Sequence, residues 1–127
     1  LGWRGFRFAR DKDYPHTLDL KMQGIRFFVD AARILALANA VAHTNTVERL
    51  RAAGQILGTP LEETAAAVEA FYQIQRLRLR NQVHGEFPEA ANRLNPDRLH
   101  GLDRHILKEA FRHARRLQQR IGMDYRL

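Results

Sequence analysis

Apolar residues recur at intervals of three and four along most of this chain, the period of a helix with one face turned inward. In the first such stretch, residues 18 to 42, Ile25, Phe28, Val29, Ala32, Leu35 and Ala36 share one face. Ile34, Leu37 and Ala38 lie behind it, so roughly two-thirds of the circumference is apolar, which predicts a central helix touched by several neighbours. Asp19, Gln23, Arg26, Asp30 and Arg33 fill the remaining strip, with Arg26, Asp30 and Arg33 at ion-pair spacing. Lys21 falls on the apolar side near the helix start. A second helix opens at Asn45-Thr46-Val47-Glu48, an asparagine version of the capping box, and runs to about Leu57, with Gly54 weakening it and Gly58 ending it. Thr59-Pro60-Leu61-Glu62 then predicts a helix start with Thr59 as N-cap and Pro60 in the first turn.

This third helix runs to about His84-Gly85 and changes chemistry halfway. On a wheel centred on Phe71, Ala67, Val68 and Ile74 fall within about 60° and form a core face. Gln75, Arg78 and Gln82 follow on the same face, while Arg76 and Arg80 fall opposite, toward solvent. A polar group turned inward needs partners, so this seam is a candidate site, with the untidy end of a bundle as its bland counterpart. Pro88, Asn92, Asn95, Pro96 and Gly101 predict a loop over 85 to 101 with at most one helical turn. The last helix, Leu102 to about Gly122, places Leu107, Ala110, Phe111, Ala114 and Ile121 on one face with Gln118 in the middle of the stripe. Long helices, short connections and no strand predict an all-α antiparallel bundle of four main helices.

Residues 1 to 17 lack helical periodicity. Trp3, Phe6, Phe8 and Tyr14 alternate with Arg4, Arg7 and Arg10; arginine-spaced aromatics can stack on bases, but an irregular arm packed outside the bundle is the expectation. The division is therefore an arm or linker over 1 to 17, leading in from a preceding domain, and a helical domain over 18 to 127. Leu1 is not a natural start, and the chain is expected to be a domain of a larger protein. Asp11-Lys12-Asp13 lacks the preceding strand and Gly-Ser turn that a metal-binding carboxylate pair needs.

Composition then excludes classes. With 127 residues there is one domain's worth of core. With no cysteine and no serine, disulfides, thiolate catalysis and a Ser-His-Asp hydrolase are out. No apolar run approaches about 18 residues, so no membrane span is predicted, and a cytoplasmic setting is expected. Net charge is +7, from 18 Arg and 3 Lys against 14 acids, which suits phosphates or an acidic partner. The arginines are scattered, however, and nucleic acid is not the expected partner. Among the six histidines, His105 and Glu109 are one turn apart, but both face solvent and no third ligand has suitable spacing, so no metal site is expected.

Several blocks, in order, resemble a known family: Leu18-Asp19-Leu20-Lys21, Val29-Asp30-Ala31-Ala32-Arg33-Ile34-Leu35-Ala36-Leu37, Asn45-Thr46-Val47-Glu48-Arg49-Leu50, Arg76-Leu77-Arg78-Leu79-Arg80-Asn81-Gln82, Asn95-Pro96 with Leu99, and Leu102-Asp103-Arg104 leading to Leu107-Lys108-Glu109-Ala110-Phe111 and Leu117-Gln118. The series, over about residues 18 to 121, is similar to the nucleotidyltransferase substrate-binding domain at the C-terminus of bacterial signal-transduction proteins. Those proteins also carry a cyclic-nucleotide-binding-like domain, a pair of cystathionine-β-synthase (CBS) domains and a nucleotidyltransferase domain, and are similar to protein-PII uridylyltransferase. One departure is His100-Gly101, where a Ser or Thr often caps the last helix. The resemblance implies a non-catalytic accessory domain that binds a nucleotide or an acceptor protein beside an upstream catalytic domain. That domain would use Mg2+ and a nucleoside triphosphate; no cofactor is expected here. The candidate substrate-binding residues are Lys21, Arg33, Arg49, Arg78, Gln82 and Gln118, with Lys21, Arg78, Gln82 and Gln118 converging on one pocket. A second reading is a HEPN-type bundle ribonuclease using Arg78 and His84. A third is a dimerisation or docking module, with a homodimer through the apolar girth of residues 25 to 38.

Overall fold

The computed structural model describes residues 14–125, with side chains to residue 122. The aromatic–arginine part of the arm before Tyr14, and Asp11-Lys12-Asp13, lie outside the described residues. Four helices form an antiparallel bundle: α1 (Arg26–Ala38), α2 (Thr46–Leu57), α3 (Leu61–His84) and α4 (Gly101–Tyr125). α3 packs against α4 and α2, and α1 against α2 and α4. Phe28, Leu35, Leu50, Phe71, Ile74, Leu107 and Phe111 form the centre of the core, each no more than 5% exposed.

The chain enters differently from the predicted single helix. Leu18–Asp19 is a short strand, β1, paired antiparallel with Arg93–Leu94, β2, in the register Leu18 to Leu94 and Asp19 to Arg93. A π-helical turn, Leu20–Ile25, follows before α1 begins. Asp19 caps that turn, accepting from the amides of Lys21 and Met22, while Gln23 accepts from the amide of Asp19, a reciprocal arrangement like a capping box. The wider π turn breaks the 100° step, so Leu20 and Gly24 are buried while Lys21 is exposed rather than inward. Gly24 is required there: a Cβ at this position would stand 2.7 Å from Ile74 Cγ2. Tyr14 and Thr17, placed in the arm by sequence, lie against the loop after α3 and against each other. Tyr14 meets Phe87 edge-on at 5.3 Å, and buried Thr17 donates its hydroxyl to the carbonyl of Tyr14.

α1 is central, but its apolar girth is only partly used. Phe28, Ala31, Ala32, Leu35 and Ala36 are buried, whereas Leu37 is 78% exposed. Asn45 caps α2 as predicted, accepting from the amide of Glu48 at 3.2 Å. Gly54 lets α2 and α3 approach, since a Cβ would stand 2.5 Å from Thr64 Oγ1. At the start of α3 the prediction is displaced by one residue. Thr59 donates its amide to the carbonyl of Gly54, finishing α2; Pro60 takes the N-cap position, and its carbonyl receives the amides of Glu63 and Thr64.

Candidate functional site

α3 determines where polar chemistry can sit. Its buried residues are Ala67, Val68, Ala70, Phe71, Ile74 and Leu77, a stripe centred on Ile74 rather than Phe71. Rotating the wheel to Ile74 puts Asn81 about 20° from the centre and Gln82 about 80° away, which agrees with half-buried Asn81 and exposed Gln82. Asn81 is thus the inward polar residue that the sequence reading missed. Its amide donates to the carbonyls of Ala91 and Arg93, both at 2.8 Å. Arg78, one turn earlier and half-buried, donates from Nε to Asn92 Oδ1 at 2.8 Å. Asn92 in turn accepts the amide of Leu20 through its carbonyl. Together these bonds strap residues 91–94 across the end of α3 and onto the chain's entry.

Beyond the strap lies a cavity of about 270 Å³ between the last turns of α3 and the 85–100 loop. Leu77, Leu94 and Leu99 make its floor; Arg80, Asn81, His84, Gly85, Glu86, Asn95 and Arg98 make its walls and rim. Arg80 pairs with Asp103 of α4 at 2.8 Å and Arg76 approaches the same carboxylate at 3.6 Å. So the face predicted as solvated is the flank that meets α4. The guanidinium of Arg80 holds the Asp103 carboxyl below its ordinary value. Arg98 pairs with Glu86 at 3.3 Å and is largely exposed. His84 is exposed, and two cations and an imidazole therefore ring an apolar floor. Planar guanidinium groups with partly solvated partners suit exchange for phosphate or carboxylate oxygens.

The six residues predicted as one set do not form one pocket. Arg78, Gln82 and Lys21 belong to the same end of the bundle: Gln82 follows Asn81, and Lys21 follows Leu20, which is bonded to Asn92. Gln118 does not join them. Its helix neighbour Arg120 pairs with Glu63, near the start of α3, about 22 Å of helix away from Arg78. There the contact flank of α4 carries half-buried Leu117, and Gln118 is exposed. Arg33 is an exposed partner of Asp30 at 3.9 Å. Arg49 donates from Nε to the carbonyl of His43 at 2.6 Å and serves the turn before α2. Of the pair invoked for RNA cleavage, His84 lines this cavity and Arg78 does not.

The opposite end is drier. A void of about 40 Å³ lies among Leu35, Leu50, Leu57, Thr64, Ala67, His113, Leu117 and the Glu63–Arg120 pair, room for water but not for a nucleotide. Burial, then the neighbouring charge of Arg112, lowers the pKa of His113. A larger groove of about 680 Å³, no more open than the cavity at the end of α3, runs between α2 and α3. Among the described residues no group of three His, Asp or Glu could hold a metal ion, and no helix is long and apolar enough to cross a membrane.

A family model described as putative nucleotidyltransferase substrate binding domain matches residues 1–125. No curated protein and no solved structure matches the chain.

Proposed function

The chain belongs to the nucleotidyltransferase substrate-binding family, and from that premise we propose that the cavity at the end of α3 holds the nucleotide or the acceptor for a nucleotidyltransferase domain. The single observation behind this reading is the arrangement of Arg80, His84 and Arg98 around the floor of Leu77, Leu94 and Leu99. An apolar floor with a few convergent polar groups is the usual form of a small-ligand site. Arg98 and Arg80 would receive phosphate or acidic side-chain oxygens, and His84 would donate from the rim. Arg78 and Asn92 position the wall from outside the cavity, while Asn81 both holds the wall and lines the cavity. Lys21 and Gln82 remain candidates for its outer edge; Arg33, Arg49 and Gln118 stand elsewhere. Catalytic carboxylates, Mg2+ and the nucleoside triphosphate chemistry belong to the companion domain. We further propose that the parent protein is a bacterial cytoplasmic signalling protein with CBS domains, related to protein-PII uridylyltransferase.

Isothermal titration of nucleoside triphosphates into the domain joined to its catalytic companion tests the site. Arg98→Ala is expected to weaken binding about tenfold, roughly one charge-assisted hydrogen bond, and Leu37→Ala on α1 to leave it unchanged. Equal affinity in wild type and Arg98→Ala would remove the cavity as the site. The ribonuclease reading is supported in altered form by one observation: Arg80, not Arg78, shares the cavity with His84. RNA left intact by the wild type would end that reading.

A further inference from the structure

α3 has two apolar faces. Besides the core stripe, Leu61, Tyr72, Leu79 and Val83 are 84, 47, 62 and 74% exposed, and Ala65 is exposed as well. On a 100° wheel Leu61, Ala65, Leu79 and Val83 all lie within about 20° of Tyr72, away from the core stripe; Leu61, Ala65 and Tyr72 also line the groove between α2 and α3. Four of the eight large exposed apolar side chains of the described residues therefore fall on one line. Solvent-facing residues of a helix are ordinarily polar, and such a line marks a surface that meets another one.

The stripe is also symmetric in sequence. Leu61 and Val83 stand at equal distances on either side of Tyr72, and so do Ala65 and Leu79. Glu69 and Arg76 stand on one flank of the stripe at about 60° and 40° from its centre, three residues before Tyr72 and four after it. A self-complementary helix of this kind fits a two-fold axis. We propose that α3 pairs with α3 of a second copy of this chain, antiparallel, with the axis beside Tyr72. Leu61 then meets Val83 of the second copy, Ala65 meets Leu79, and the two Tyr72 rings meet each other. The two-fold keeps each flank on its own side, so Glu69 of one copy reaches Arg76 of the other. In the single chain Gln73 links the two, donating to Glu69 at 2.8 Å and accepting from Arg76 at 3.0 Å, and Arg76 also stands 3.6 Å from Asp103 of α4.

The contact is modest in size. The stripe is about 33 Å long and a helix about 10 Å wide, on the order of 330 Å² per copy, below the roughly 800 Å² of a standard interface. The pair forms and separates with concentration. It differs from the dimer expected through residues 25 to 38, where the face of α1 formed by Phe28, Ala32 and Leu35 is buried inside the bundle and Leu37 is exposed.

The absence of cysteine permits a direct test. Two antiparallel helices bring residues at the axis close enough for a disulfide, whereas residues seven positions away are separated from their own copies by about 21 Å. Tyr72→Cys alone is expected to cross-link under mild oxidation. Ala65→Cys and Leu79→Cys should each cross-link poorly alone and efficiently when mixed, and Leu37→Cys on α1 serves as the exposed control. Sedimentation of unmodified protein across a concentration series should show reversible dimerisation, weakened at least tenfold by Leu79→Glu with unchanged helical circular dichroism. A monomer at every concentration, or Tyr72→Cys cross-linking no faster than Leu37→Cys, overturns the proposal and leaves the stripe to a different protein surface.

Discussion

The two halves of α3 are closed by different physics. From Ala67 to Phe71 the helix is covered by regular elements, α1, α2 and α4; Phe71 meets Phe28 of α1 with ring centroids 5.7 Å apart. From Leu77 to His84 much of its cover is a segment with little regular structure, held by side chain-to-backbone bonds from Asn81 and by Arg78. Burial is non-directional and roughly additive in area, so the first half tolerates any well-filled arrangement. The second half depends on a few directed bonds, and there a cavity with a polar rim can persist. A site belongs where closure is directional.

That contrast can be broken most forcefully at Phe71. Phe71→Ala removes a buried ring and is expected to lower global stability by about 3–5 kcal/mol, read as a shifted midpoint in urea unfolding. Asn81→Ala should cost less, about 2 kcal/mol for two lost bonds and partly stranded carbonyls. Its mark is local: the amide of Leu20, which donates to Asn92, should exchange with solvent far ahead of global unfolding. Unchanged protection of Leu20 in Asn81→Ala would show that the strap does not depend on Asn81. Smaller still is the response to acid, which separates the two ends by pH. The pKa of His113 in the folded chain is depressed below its ordinary 6.5. The unfolded chain then binds the proton more readily, and stability present above pH 6.5 is lost as pH falls below that value. The pKa of Asp103 is depressed from 3.8, so its contribution persists until pH falls below that value. Mild acid should therefore weaken the His113 end first, and His113→Gln should flatten the unfolding midpoint between pH 7 and 5.

Much of the bundle was legible because its signals are local. Asn45 and Glu48 define the start of α2 through one capping bond, and Gly58, at φ +69°, closes it. The inward faces of α1 and α4 follow from spacing alone, as Phe28, Leu35, Leu107 and Phe111 show. The π turn was not legible: its cap, Asp19 with Gln23, is readable only if the helix is not already assumed to have begun at residue 18. Lys21 was misplaced for the same reason. Asn81 escaped through a wheel centred on one large aromatic instead of on the whole stripe; including Leu77 and Ala70 would have turned it far enough. The cavity could not be read at all, because its wall comes from Leu94, Asn95 and Arg98, whose position depends on β1–β2 pairing and not on any local pattern.

That pairing also sets an order of assembly. The α2–α3 and α3–α4 hairpins join segments close in sequence, whereas Leu18 and Leu94 meet across roughly 75 residues of intervening chain. Closing such a loop in an otherwise unfolded chain costs about 4 kcal/mol in entropy beyond a constant, and two strand residues cannot repay that alone. The ladder forms once the helices have shortened the gap. The wall of the cavity is thus the last piece of the domain to fold and, by the same accounting, the first to come undone.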